Sequence, residues 1–224
     1  MIREEDFQIS DHKINFGPYV MWAKVPKELT DNLIAGGEVM TNDFREKLAG
    51  HLKLEKAYNE AQRGWFAEQT QPLFNEYRKR HNIHHNLHNH YKEIYKKEMP
   101  PVKLNLDSLW INYMTRGEFN PPHTHSGDLS FVIYCQVPEN MTTEFDGTKP
   151  NSAPPGSIVF QHGINERPSW TTTECYFEPK VGDMFIFPAL MSHMVIPFRC
   201  EGTRISVSGN ITYVNKEEWE EKFF

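Results

Sequence analysis

Residues 182–210 read GDMFIFPALMSHMVIPFRCEGTRISVSGN, and their pattern decides the fold class. Gly182 turns the chain into the apolar run MFIFP, and His193 opens a further extended run. From Arg204 the alternation is strict. Arg204, Ser206, Ser208 and Asn210 fall on one face of a strand, and Ile205, Val207 and Ile211 on the other. A strand with one apolar face and a polar row headed by arginine needs an apolar layer behind it and something anionic in front. Runs rich in Val, Ile, Phe, Tyr and Thr predict strands at 109–114, 129–137, 157–161, 184–188, 193–198 and 204–214. No helical pattern alternates with them, so an antiparallel sandwich or open barrel is expected rather than a parallel sheet.

The first hundred residues differ. An extended segment at 16–25 leads through Pro26 to a helix over 27–36, stopped by Gly36 and Gly37. Residues 43–58 have helix-like composition. In 65–81, Trp65, Phe66, Gln69, Leu73, Phe74 and Tyr77 recur at three- and four-residue steps, which predicts an amphipathic helix. Helices packed outside a β core follow. With 224 residues, 38% hydrophobic and 13% aromatic, the chain can bury such a core. Twenty-four Lys and Arg against 30 Asp and Glu give a net charge of −6, which speaks against a general binder of nucleic acid or anionic membrane. No apolar run is long enough to span a bilayer, and the polar, acidic start is neither a secretory signal nor a transit peptide. Three cysteines without CxxC spacing predict neither a disulfide framework nor a cysteine zinc site, so a cytoplasmic setting is expected.

Chemistry concentrates in the histidines, of which there are 11. In GEFNPPHTHSGDLSFVIYCQVP, starting at Gly117, His123 and His125 stand two apart, so extended backbone turns both imidazoles to one side. Alone, such a pair is as readily two surface histidines as a metal site. Set beside His193 and the Arg204 row it gains weight, because arginine forks bidentately onto carboxylates and a hydroxyl two residues on shares its face. A second cluster runs from His81 to His90, in which His81, His84, His85 and His88 have helical spacing that would suit a transition metal. Asparagines and the lack of a nearby carboxylate favour reading it as a polar helix end.

On these motifs, residues from about Leu104 to Val214 resemble the 2-oxoglutarate- and Fe(II)-dependent oxygenases, in their prolyl-hydroxylase-like branch. The resemblance implies a mainly β fold with N-terminal helices and a double-stranded β-helix (jelly-roll) core, in which residues 1–103 pack on a core formed by 104–224 as one compact unit. It further implies that Fe(II) is held by His123 and His193, and that Arg204 and Ser206 bind the far carboxylate of 2-oxoglutarate. Tyr134 and Asn112 are candidate hydrogen-bond partners of that co-substrate, and O2 takes the remaining metal position. In the family the second ligand is an Asp two residues after the first His, where this chain has His125. Three arrangements stay open: His125 as third ligand, Asp128 reaching in from the next turn, or two protein ligands only. The implied substrate is a peptidyl proline or a similar residue, protein-borne or small.

Two other readings compete. Gly117, His123 and His125, with Gly182, Pro188 and His193, also fit much of the two cupin motifs, but a cupin gives no reason for the Arg204–Ser206 pair. A metal-free β-sandwich serving as a binding module is the third. Residues 146–173, rich in Pro, Gly, Ser and Thr, are long for a connection and are expected either to cover a site or to form a surface insertion.

Overall fold

The structure is a computed structural model that describes residues 6, 8–11, 17–85, 87–98, 102–141, 144, 152–163 and 173–215. In chain order the strands are β1 (Gln8–Asp11), β2 (Met21–Lys24), β3 (Glu55–Ala57), β4 (Val102–Met114), β5 (Asn120–His123), β6 (Leu129–Gln136), β7 (Ile158–Gln161), β8 (Glu174–Phe177), β9 (Asp183–Pro188), β10 (Ser192–Val195) and β11 (Arg204–Asn215). The helices are α1 (Lys27–Glu38), α2 (Glu60–His84) and α3 (Leu87–Tyr95). Every strand pairing among the described residues is antiparallel. One sheet runs β1-β2-β9-β6-β11-β4-β3 and the other β5-β10-β7-β8.

The alternation in β11 sorts its side chains as the sequence predicts. Ile205, Val207 and Ile211 are buried with Leu29 and Leu33 of α1, Phe66, Leu73, Phe74 and Tyr77 of α2, and Ile111, Phe131 and Ile133. This cluster seals the outer face of the large sheet beneath the helices. Phe66 stacks on Phe131 with ring centroids 5.3 Å apart, and the Tyr77 hydroxyl donates to the Tyr19 carbonyl at 3.0 Å. A second cluster fills the space between the sheets, joining Val132 and Tyr134 of β6, Phe185 and Phe187 of β9, and Ile158 and Phe160 of β7. Gly209 is required in mid-strand, because a Cβ there would lie 2.6 Å from both Phe131 Cζ and the Ser108 carbonyl oxygen.

Sequence and structure part company in the N-terminal half. Residues 43–58 do not form a helix: a single 3-10 turn at Arg45–Lys47 is followed by β3, which pairs with β4 through Glu55–Asn112, Lys56–Ile111 and Ala57–Trp110. The composition favours helix, but a partner strand supplies cross-strand bonds that local propensity cannot foresee. The 103/104 junction lies inside β4, and β1, β2 and β3 extend the large sheet, so the N-terminal segment is woven into it as well as packed on it. Of residues 146–173, Ile158–Gln161 is β7 of the small sheet, whereas 146–151 and 164–172 lie outside the described residues. Among the described residues, no helix is long and apolar enough to cross a membrane.

Candidate metal and co-substrate site

The two sheets bring two rows of side chains face to face. On the small sheet, His123 of β5 pairs directly with His193 of β10, which in turn pairs with Phe160 of β7. His125 lies just past β5, where its N–H donates to the Ala189 carbonyl at 2.8 Å and its ring reaches the other two. Ring centroids are 4.2 Å apart for His123–His193, 4.9 Å for His123–His125 and 5.0 Å for His125–His193. One ring nitrogen from each lies within 4.8 Å of those of the others, and no second group of three such side chains occurs among the described residues.

The backbone fixes which nitrogens face the cavity. His123 Nδ1 lies 2.7 Å from the Pro121 carbonyl and His193 Nδ1 2.9 Å from the Met191 carbonyl. A carbonyl only accepts, so each Nδ1 carries the proton and each Nε2 keeps its lone pair. His193 Nε2 faces His125 Nε2 at 3.2 Å. Burial lowers the proton affinity of all three rings: His193 falls to about 3, His125 to about 4, and His123 below its ordinary value, with neighbouring imidazoles adding to the fall for His193 and His125. Neutral imidazoles crowded this closely, with lone pairs converging, make a donor set for a divalent transition metal.

Across the cavity, the large sheet presents Glu55, Asn112, Ser206 and Tyr134 in one row over β3, β4, β11 and β6. Asn112 Nδ2 donates to Ser206 Oγ at 3.3 Å and to Ser208 Oγ at 3.4 Å. Arg204 is 3% exposed. Its Nη1 donates to the Gly156 carbonyl at 2.8 Å and its guanidinium lies 5.5 Å from the Tyr134 ring centroid. Arg204 Nε, the Tyr134 hydroxyl and Ser157 Oγ are buried without hydrogen-bond partners. Burial depresses the Arg204 pKa, and burial raises that of Tyr134 to about 12 against the pull of Arg204. A buried guanidinium with no counter-charge, set over a tyrosine ring whose hydroxyl is itself unsatisfied, suits an incoming carboxylate.

Of the residues expected to hold the metal or the co-substrate, all except Asp128 line this one cavity: Asn112, His123, His125, Tyr134, His193, Arg204 and Ser206. Asp128 is directed elsewhere. Its Oδ2 accepts the Tyr213 N–H at 2.7 Å, and it lines a separate cavity with Tyr77 and Tyr213. The cause is local: Asp128 N–H bonds to the Ile211 carbonyl, which ties the turn to β11 and turns the carboxylate away from the histidines. Of the second cluster, His81, His84 and His85 pack ring to ring near Tyr19 and Tyr77, while the side chains of His88 and His90 lie outside the described residues. The sequence reading missed Glu55 and Trp110, whose ring lies 5.7 Å from His125. Trp110 sits at the parity of Asn112, which could have flagged it. Glu55 gave no signal.

Comparison with known proteins agrees with this cavity. Residues 108–210 match the family described as "Putative 2OG-Fe(II) oxygenase". No curated protein matches the chain by sequence. Among solved structures, HygX from Streptomyces hygroscopicus, with nickel, 2-oxoglutarate and hygromycin B bound, superposes with TM-score 0.53 at 10% identity, covering 90% of this chain and 84% of that one. A Trichoplax adhaerens prolyl hydroxylase, in complex with a hypoxia inducible factor oxygen degradation domain peptide fragment, superposes with TM-score 0.50 at 11% identity, covering 98% and 88%. At such identities the likeness is one of fold. The family match runs from β4 into β11 and so takes in Asn112, the three clustered histidines, Tyr134, Arg204 and Ser206.

Proposed function

We propose that His123, His125 and His193 are the three protein ligands of Fe(II), that Arg204 and Ser206 bind the far carboxylate of 2-oxoglutarate, and that the enzyme hydroxylates an organic substrate at a C–H bond. The observation that carries this reading is Arg204, a buried cation with an unpartnered Nε over Tyr134, whose hydroxyl is also unpartnered, in the same cavity as three convergent imidazoles. A buried charge without a counter-charge is costly unless a ligand supplies one. When bound, Fe(II) with 2-oxoglutarate supplies the oxidising chemistry: O2 gives one atom to the substrate and one to succinate, and CO2 is released.

The chain's own residues prepare that chemistry. Pro121 and Met191 carbonyls hold the His123 and His193 rings so that neutral Nε2 atoms face inward. Because none of the three ligands is a carboxylate, a divalent ion there keeps its full charge until an anionic co-substrate arrives. Asn112 orients the Ser206 hydroxyl, and Tyr134 offers the guanidinium its ring face and the ligand its O–H. Phe160 and Phe187 flank His193 and keep water from that side. The two facing sheets are the walls of a double-stranded β-helix, a reading that the fold likeness supports. A peptidyl prolyl or similar residue is the substrate that the resemblance favours.

The test is anaerobic calorimetry with 2-oxoglutarate on wild-type protein, with and without Fe(II). The expected result is one site per chain that depends on the metal. Absence of metal-dependent binding would overturn the assignment in favour of a cupin or a metal-free module.

A further inference from the structure

The cavity has a basic end at Arg204 and, at the other end of the same row, an acid that the co-substrate does not need. Glu55 is 1% exposed and lines the cavity with Leu48, Ala49, Asn120 and His123. Its Oε2 is buried with no hydrogen-bond partner, and no cation lies within ion-pair distance of it among the described residues. Arg45, whose charge acts on Glu55, is committed to Asp43 through Nε at 2.9 Å and to the Lys53 carbonyl through Nη1 at 3.1 Å. A second buried carboxylate, Glu118, adds negative potential. Glu118 accepts the Lys53 N–H at 2.9 Å and the Thr115 N–H at 2.7 Å, so it is fully engaged in pinning the 53–55 segment to the start of β5. Three strand spacings of about 5 Å separate Glu55 from Tyr134 along the row, which leaves the acidic end clear of the carboxylate cradle.

We propose that Glu55 is the substrate anchor of this oxygenase and that its substrate carries an ammonium or guanidinium group that pairs with the Glu55 carboxylate. The proposal rests on the reading of the cavity as the hydroxylation site. Position argues for an anchor: an orphaned carboxylate that lines the same cavity as His123 meets whatever enters beside the histidines. Charge argues for a cation over a neutral donor. A hydroxyl or amide would satisfy one Oε2 lone pair but leave two neighbouring buried carboxyl groups uncompensated, and burial beside Glu118 already lifts the Glu55 pKa to about 7. A cationic group restores the ionised form and removes the repulsion in one contact. A prolyl peptide would fit this cavity with a basic group next to the oxidised residue.

The probes are n-butylammonium and its neutral counterpart n-butanol, titrated by calorimetry into the 224-residue chain at about pH 8.5, above the carboxyl's shifted range. Each titration is run on protein loaded with Mn(II) and 2-oxoglutarate without oxygen, and again on protein stripped of both. The ammonium probe should bind about tenfold or more tightly than the alcohol, and E55Q should abolish that preference. Equal affinity for the two probes in the wild type overturns the proposal without recourse to any variant. So does an ammonium preference that survives E55Q. Failure of Mn(II) and 2-oxoglutarate to bind would strike at the oxygenase reading instead, and the stripped protein still reports on Glu55.

Discussion

Replacing Arg204 by alanine probes the site where its energetics are least ambiguous. In the free protein the guanidinium is 3% exposed, makes one hydrogen bond to a carbonyl, leaves Nε unpartnered and lies over Tyr134. Its electrostatic reward therefore comes on binding an anion. Truncating one partner of a buried charged contact typically costs about 2–5 kcal/mol, or about 30-fold to several-thousand-fold in affinity. Anaerobic calorimetry with Fe(II) should show 2-oxoglutarate affinity falling within that range while the Fe(II) affinity of the variant stays close to wild type. R204K should recover only part of the loss, because a point charge cannot reproduce the fork. The free variant should lose little stability, since removal of an uncompensated buried cation offsets the lost packing. Equal 2-oxoglutarate affinity in wild type and R204A would refute the reasoning outright.

H193A should lower Fe(II) affinity by about 100-fold or more with an unchanged circular dichroism spectrum; a full metal complement in the variant would remove His193 from the ligand set. D128A should keep its metal content and lose about 1 kcal/mol of stability in urea unfolding, because it deprives the Tyr213 N–H of an acceptor and lies outside the cavity of His123, His125 and His193. H125D places a carboxylate where the third imidazole stands and should retain Fe(II) or bind it more tightly in metal titrations; loss of the metal would show that the imidazole itself is required. Burial and Glu118 raise the Glu55 pKa from 4.5 to about 7, so this group's contribution is fully present below pH 4.5 and is lost as pH rises through about 7. E55Q should thus gain stability over wild type across that window, by up to about 3 kcal/mol at 1.36 kcal/mol per unit, and a flat difference between the two unfolding curves would contradict the assigned shift.

The polar row at Arg204, Ser206 and Ser208 was legible from residue order alone, because a strand's period of two sorts side chains regardless of what the strand pairs with. The same holds for the shared side of His123 and His125, the turn at Gly182, whose φ is +85°, and the amphipathic stripe of α2. These features are local, fixed by backbone geometry over a few residues. Sequence order could not choose between His125 and Asp128, since both stand within reach of His123 along the chain. Long-range bonds separate the two, with the Ala189 carbonyl holding the His125 backbone beside the other rings and the Tyr213 N–H drawing the Asp128 carboxylate away. Glu55 was invisible for the same reason. Its segment reads as helix until β4 supplies an edge to pair with, and the lack of a counter-charge is a property of everything packed around it. Residue order sets which face of each strand is polar; what each polar group meets follows from packing, because its partners are contacts between residues far apart in the chain.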